Sequence, residues 1–176
     1  DDFDTARGRL LDTIGNLTVT GDDGSPAGGW AEGPGYHEYA AHEYVPALEA
    51  LAHAGLFSYS DYPELVETHL QLARIAMPDG YMPPWDDNEA VFHDLTALLG
   101  SIHRDRAESG ALRHLMGEDI KWVAADLLPE YLAIYDDTPV VTDPAALGLP
   151  LTEFRPESGY AKFRSSWDSG ADWLLL

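Results

Sequence analysis

Apolar positions recur at helical spacing along most of the chain. Phe3, Leu10, Leu11, Ile14 and Leu17 predict a helix over residues 3–17. A stretch rich in Gly, Asp and Pro over 21–29 then reads as a loop. From residue 35 a second helix fits. Tyr36, Ala40, Ala47, Leu48 and Leu51 fall on one stripe, with Glu38, His42 and Glu49 elsewhere. Pro46 is expected to kink or interrupt it, and Gly55 to end it. Ser60 or Asp61 is placed to cap a third helix, with Pro63 in its first turn and Leu65, His69, Leu72 and Ile75 along it. A Pro/Gly loop covers 78–87. Val91, Leu95, Leu98, Leu99 and Ile102 predict a helix over 88–108, a short helix follows Gly110, and Trp122, Val123, Leu127, Leu128 and Leu132 predict another over 118–135.

After Asp137 the helical period is lost. Residues 138–152 are rich in Pro, Thr and Val and read as a linker. Phe154, Tyr160, Ala161, Phe163 and Arg164 suggest short strands, and 173–176 another. The expected architecture is mainly α, with antiparallel helical hairpins over 1–137 and strands beginning only after about residue 150. Hairpins joined by loops at one rim suit an (α/α) toroid. The pattern is helical almost from Asp1 and stops within the apolar run 173–176, so the chain is expected to be an internal piece of a longer protein.

Charge narrows the function classes. Ten Lys and Arg against 31 Asp and Glu give a net charge of −21. No basic footprint exists to release counterions from phosphates, which argues against nucleic acid, and an anionic membrane surface is disfavoured for the same reason. No run approaches 18 apolar residues, so no membrane-spanning helix is expected. Cys is absent, which removes disulfides, thiolate metal sites and Cys nucleophiles. Lys121 and Lys162 are the only lysines, so the acidic surface is almost free of Lys. That composition fits either adaptation to high salt or ordinary acidic drift.

Three patches carry candidate chemistry. In the first, Gly29, Gly33, Pro34 and Gly35 deliver Trp30, Glu32, Tyr36, His37 and Tyr39 to a helix N-terminus. Free N–H groups there attract an anion, and the positive helix end suits a Tyr hydroxyl to proton transfer. Equally, the aromatics fit a core under a turn, and Glu32 fits a helix cap. His37 and His42 are five residues apart and share no helix face, so a zinc site is not supported. The second patch holds Tyr81, Trp85, Asp86 and Asp87: Trp85 suits stacking on a sugar ring, Asp86 suits bonds to hydroxyls, and Asp87 suits either hydroxyls or a helix cap. In the third, alternation puts Tyr160, Lys162 and Arg164 on one strand face, where they suit a substrate carboxylate or an ion pair with Asp168 or a helix carboxylate.

Taken together, the patches resemble a known family. The run from Trp30 through Glu32, Gly33 and Tyr36 to Tyr39 is similar to the (Y/W)-x-E-G-x-x-Y-x-x-Y stretch of the heparinase II/III-like polysaccharide lyases, which include exo-acting alginate lyases. Pro78, Asp79 and Gly80 with Pro83, Pro84 and Asp86 resemble a later loop. Ser158, Gly159 and Tyr160 with Phe163, Arg164, Ser165, Trp167 and Asp168 resemble the opening of the family's β-sandwich. The resemblance implies that 1–137 is the C-terminal part of an (α/α) toroid and that 153–176 starts an antiparallel β-sandwich. It implies β-elimination on a uronic-acid polysaccharide or oligosaccharide. Tyr36 matches the family's proton donor to the leaving O4; Trp30, Glu32, His37, Tyr81, Trp85, Asp86 and Arg164 would line the substrate. The residue that neutralises the carboxylate and the catalytic His would lie outside this segment, which alone would be inactive. No cofactor is implied in this segment, and the parent would be secreted or periplasmic. The other readings are a glycoside hydrolase pairing Glu32 with Asp86, and a carbohydrate-binding piece without chemistry.

If the acidic surface is a salt adaptation, thermal stability rises steadily from dilute buffer to molar KCl, because self-repulsion is screened as the Debye length shrinks to about 3 Å. Melting temperatures across a KCl series measure this; a flat or falling trend removes the adaptation.

Overall fold

The fold is built around one helix that is buried over most of its surface. A computed structural model describes residues 2–84, 95–115, 128–136, 138 and 140–176. About half is helical. In chain order the described elements are α1 (Asp2–Leu17), β1 (Thr18–Thr20), β2 (Pro26–Trp30), α2 (Gly33–His53), α3 (Pro63–Ile75), α4 (Thr96–Ile102), α5 (Ser109–Leu115), α6 (Leu128–Ile134), β3 (Thr152–Arg155), β4 (Tyr160–Arg164) and β5 (Trp173–Leu175). A 3₁₀ turn, Tyr59–Asp61, precedes α3.

The central helix is α3. Leu65, Val66, Leu70, Leu72, Ala73 and Ile75 are buried, and so are Thr68, His69 and Gln71. A helix with apolar side chains over more than half of its circumference belongs largely inside a protein, and here the stripe of Glu64, Glu67 and Arg74 reaches the surface. It shares one core cluster with Val45 and Leu48 of α2, Leu98 and Leu99 of α4, and Leu112 of α5. Cutting such a buried Leu to Ala costs about 2–5 kcal/mol. Gly100 lets α4 and α5 meet: a Cβ there would lie 2.8 Å from Arg113 Cγ and 2.9 Å from the Ser109 carbonyl oxygen.

Several expectations are corrected. Strands begin well before residue 150, since β1 and β2 form an antiparallel hairpin pairing Thr18 with Trp30 and Thr20 with Pro26. The Gly-rich composition of 21–29 hides this, because tertiary partners hold β2 straight. The buried stripe of α2 is His37, Ala41, Tyr44, Val45 and Leu48, one position round from the expected one, which leaves Tyr36 half-exposed. Helix α2 runs through Pro46, with Tyr44, Val45 and Leu48 gripping it on both sides. Neither Ser60 nor Asp61 caps α3. Its N-cap residue is Tyr62, without a side-chain cap bond, and Ser58 caps the 3₁₀ turn instead. The helix expected to reach 108 stops at Ile102, with His103 as its C-cap, before the charged turn Arg104, Asp105 and Arg106. Positions 88–94 and 118–127 of the expected helices lie outside the described residues.

The second sheet has the order β3-β4-β5, all antiparallel. Its register pairs Phe154 with Ala161 and Phe163 with both Thr152 and Leu174. The expected alternation holds, but the sheet is turned inside out. Tyr160, Lys162 and Arg164 are buried, whereas Phe154, Phe163 and Leu174 are exposed. The reason is the end of α3. The last carbonyls of a helix have no internal donor, and here the protein hides them from water. Lys162 Nζ donates to the Arg74 carbonyl and to that of Pro150 at 3.3 Å. Arg164 Nη2 donates to the Arg74 carbonyl at 3.1 Å and to that of Ala76. Two cations thus sit at the negative end of the α3 dipole. Arg164 does not pair with Asp168, as one expectation had it. Its guanidinium lies 3.7 Å above the Trp167 ring. Glu153 faces Lys162 Nζ at 3.4 Å and is also held by Arg155 at 2.7 Å.

Burial, and then the neighbouring Arg164 charge, pushes Lys162 down from 10.5 to about 8. Between those values the unfolded chain still holds a proton that the folded chain has released, so folding stability rises with pH across that window. Urea unfolding of wild type and Lys162→Met from pH 7 to pH 10.5 checks this: the wild type gains on the variant above pH 8. A constant difference between the two would contradict it.

Candidate functional site

The first sequence patch becomes a rigid turn. The free edge of β2 is closed by side chains from two other elements and a turn. Arg155 Nη1 donates to the Ala27 carbonyl at 2.8 Å, Ser158 Oγ to that of Gly28 at 2.9 Å, and Thr68 Oγ1 to that of Gly29 at 2.9 Å. Ala31 N–H donates to the Leu17 carbonyl at 2.7 Å. Gly29 has φ +121°, and a Cβ there would lie 2.9 Å from Ser158 Oγ, so neither conformation nor space admits a side chain. The chain then enters α2 at Gly33 and Pro34, with Pro in the favoured first turn.

Glu32 is the N-cap residue of α2, is exposed, and makes no side-chain cap hydrogen bond. The capping role expected for it is therefore not what it does. The first N–H groups of α2 are left without a side-chain cap, which makes this helix end favourable to negative charge. Tyr36 is 46% exposed and Tyr39 75% exposed. Spacings of four and three residues put Glu32, Tyr36 and Tyr39 on one side of the helix start. A carboxylate and two phenols thus stand on an open surface held by a fixed turn.

Under that surface lies a polar row that the sequence did not reveal. His37 Nε2 and the Tyr44 hydroxyl are 2.6 Å apart, the same hydroxyl is 2.8 Å from His69 Nε2, and His69 Nδ1 is 2.8 Å from His103 Nε2. All four side chains are buried. Trp30 stacks on Tyr44 at 5.9 Å and tilts over His37 at 5.2 Å. Tyr59 meets His103 edge-on at 5.2 Å. Burial pushes His37 down to about 3. Burial, helped by the Arg106 charge, pushes His103 down to about 4. His37 and His103 are therefore neutral at ordinary pH. A neutral imidazole has one donor and one acceptor, so each of these two rings takes a single role, donor or acceptor, toward its neighbour in the row. The one available signal was positional: His69 sits on the apolar stripe of Leu65 and Leu72, and a His there needs a buried partner.

The remaining candidates separate. Trp30 and His37 are buried beneath the turn and packed on each other and on Tyr44. Arg164 is buried on the α3 carbonyls and is withdrawn from ligands. Tyr81 is 42% exposed but belongs to the turn after α3, where its N–H donates to Asp79 Oδ1 at 3.2 Å. Trp85, Asp86 and Asp87 lie outside the described residues. Among the described residues no group of three or more His, Cys, Asp and Glu is arranged to hold a metal ion. Comparison of this chain with protein-family models, with curated proteins and with solved structures finds no match.

Because His37 and His103 titrate lower folded than at their ordinary 6.5, the row stabilises the fold fully above pH 6.5. That contribution is lost as pH falls toward 4 and then 3. Urea midpoints between pH 7 and pH 4 fall more steeply for wild type than for His103→Gln. Tyr44→Phe, which removes the central hydroxyl, costs about 1–3 kcal/mol at pH 7. A Tyr44→Phe protein as stable as wild type would show the row to be energetically idle.

Proposed function

We propose that this chain is part of a polysaccharide lyase that cleaves uronic-acid-containing polysaccharide by β-elimination, with Tyr36 as proton donor to the leaving O4. The observation that carries this reading is the placement of Tyr36: an exposed phenol in the uncapped first turn of α2, on a turn bonded through three consecutive β2 carbonyls. β-Elimination needs a base for the C5 proton, neutralisation of the uronate carboxylate and an acid at O4. Of these, Tyr36 supplies the acid through its hydroxyl. The free N–H groups of α2 favour the negative charge of a uronate or of a departing oxygen. Glu32 lies beside the phenol and suits hydroxyl recognition, and the fixed turn keeps the donor from wandering.

The same reading supplies the finer fold. The helices are part of an (α/α) toroid, and the second sheet begins an antiparallel β-sandwich. Support comes from the outward face of that sheet, where Phe154, Phe163, Leu174 and Leu176 stand exposed. Apolar residues alternating on one face are what a second sheet packs against, about 10 Å away. The partner is an acidic polysaccharide or oligosaccharide, and salt screening eases its approach to so acidic a chain.

The test uses the complete natural protein. Lyase action leaves an unsaturated uronide that absorbs in the ultraviolet; hydrolysis releases reducing ends without that absorbance, and a binding module releases nothing. Tyr36→Phe keeps the ring and removes the hydroxyl, so turnover falls by at least ~10²-fold with little change in stability. Tyr39→Phe is the matched control and stays close to wild type. Equal losses for both variants would mean a packing effect, and a fully active Tyr36→Phe enzyme would end the assignment.

A further inference from the structure

We infer that the small cavity enclosed by β2, the first turn of α2 and α3 is the binding site of one buried water molecule, held between the Trp30 indole and the Gln71 side-chain amide. The cavity has a volume of about 20 Å³ and is walled by Trp30, Pro34, His37, Thr68, Gln71 and Ser158. One water needs about 10–15 Å³ by this measure, so the space takes one molecule and not two. Two walls carry polar atoms without a protein partner. Trp30 is 7% exposed and Gln71 2%, and Trp30 Nε1 and Gln71 Oε1 are both buried with no hydrogen-bond partner in the protein. A buried donor and a buried acceptor among the walls of one water-sized cavity are the pairing that an internal water satisfies, accepting from the indole and donating to the amide oxygen.

The other end of the Gln71 amide is committed, since Nε2 donates to the Tyr160 hydroxyl. Turning the amide over would aim its carbonyl at the Tyr160 hydroxyl and its NH₂ group at the cavity. Water donates and accepts, so it satisfies Gln71 in either orientation. Thr68 lies on the same wall and offers a hydroxyl to the remaining valences. The glycines of β2 keep the space open, because a Cβ on Gly29 would lie 3.1 Å from Gln71 Oε1. The bound water completes a line from Tyr160 on β4 through Gln71 on α3 to Trp30 at the end of β2. It joins the second sheet to the turn that carries Tyr36, whether or not the chain acts on polysaccharide.

The experiment is solution NMR of the full chain. The Trp30 indole N–H is assigned by its loss in Trp30→Phe. It should show cross-relaxation with water of the sign given by a long-lived bound molecule. The Trp167 indole, which donates to the Leu149 carbonyl at 3.1 Å, is the internal control and should show none. Gln71→Glu keeps an acceptor and can take the Tyr160 hydroxyl proton, so the Trp30 signal persists. Gln71→Leu removes the acceptor and abolishes it; should Gln71→Leu fail to fold, Gln71→Met makes the same comparison. A folded wild type without the Trp30–water cross-peak overturns the inference. So does a cross-peak unchanged in the folded Leu or Met variant.

Discussion

Burying a helix creates a debt of polar groups at its ends, and the architecture is organised by how α3 meets it. Apolar side chains on α3 drive it into the centre, but its C-terminal carbonyls go in with it. Water cannot reach them, so donors must come from elsewhere in the chain. Lys162 and Arg164 bring those donors from almost 90 residues away in sequence. That requirement sets the orientation of the second sheet, because the cationic face of β4 must turn inward. Docking β4 brings Arg155, on the neighbouring β3, and Ser158, in the turn between the two strands, onto the β2 carbonyls, which holds the first hairpin and hence the start of α2. The long-range order of the protein thus follows from the end of one helix more than from apolar contact alone.

The same logic separates the two kinds of ionisable groups around the turn. Those beneath it, His37, Tyr44, His69 and His103, are buried and hydrogen-bonded along one row. Those above it, Glu32, Tyr36 and Tyr39, are open to solvent and to whatever approaches. A buried, hydrogen-bonded row is a firm base because any ring that reorients breaks a bond within it. Exposed phenols on such a base combine access with fixed position, the two properties that the proposed role of Tyr36 requires.

Much of this was readable from the chain and some was not, for definite reasons. Helix locations followed from apolar period, and the edges of α3 and α5 came out closely. Strand alternation at 160–164 was also correct, because a period of two does not depend on which face is buried. What periodicity cannot report is orientation. Tyr160, Lys162 and Arg164 look solvent-facing by type, and only the helix end they meet, 88 or more residues away in the chain, turns them inward. The β1–β2 hairpin was hidden because Gly28 and Gly29 read as loop, although they are there for close approach to α3. The histidines were scattered in sequence, and nothing local shows that positions 37 and 69 meet on Tyr44 and that 103 joins them through His69. The glycine-rich entry into a helix is a local signal, and it picked out the cluster of Trp30, Glu32, Tyr36, His37 and Tyr39; which of them are exposed and which are buried depends on the helix face and was not legible.

The inverted sheet also changes what sequence variation should mean here. In most sheets the apolar positions are the ones that resist change and the polar ones drift. On β3, β4 and β5 the order is reversed for the face turned toward α3. Lys162 and Arg164 are irreplaceable by residues of similar bulk, because no aliphatic side chain can donate to a carbonyl. Phe154 and Leu174, facing outward, are limited only by whatever comes to lie over them. Among relatives of this chain, a charged column at positions 162 and 164 beside a freely varying column at 154 would be the signature of a sheet anchored by its cations, and hydrophobicity would be a poor guide to which of its residues the fold can spare.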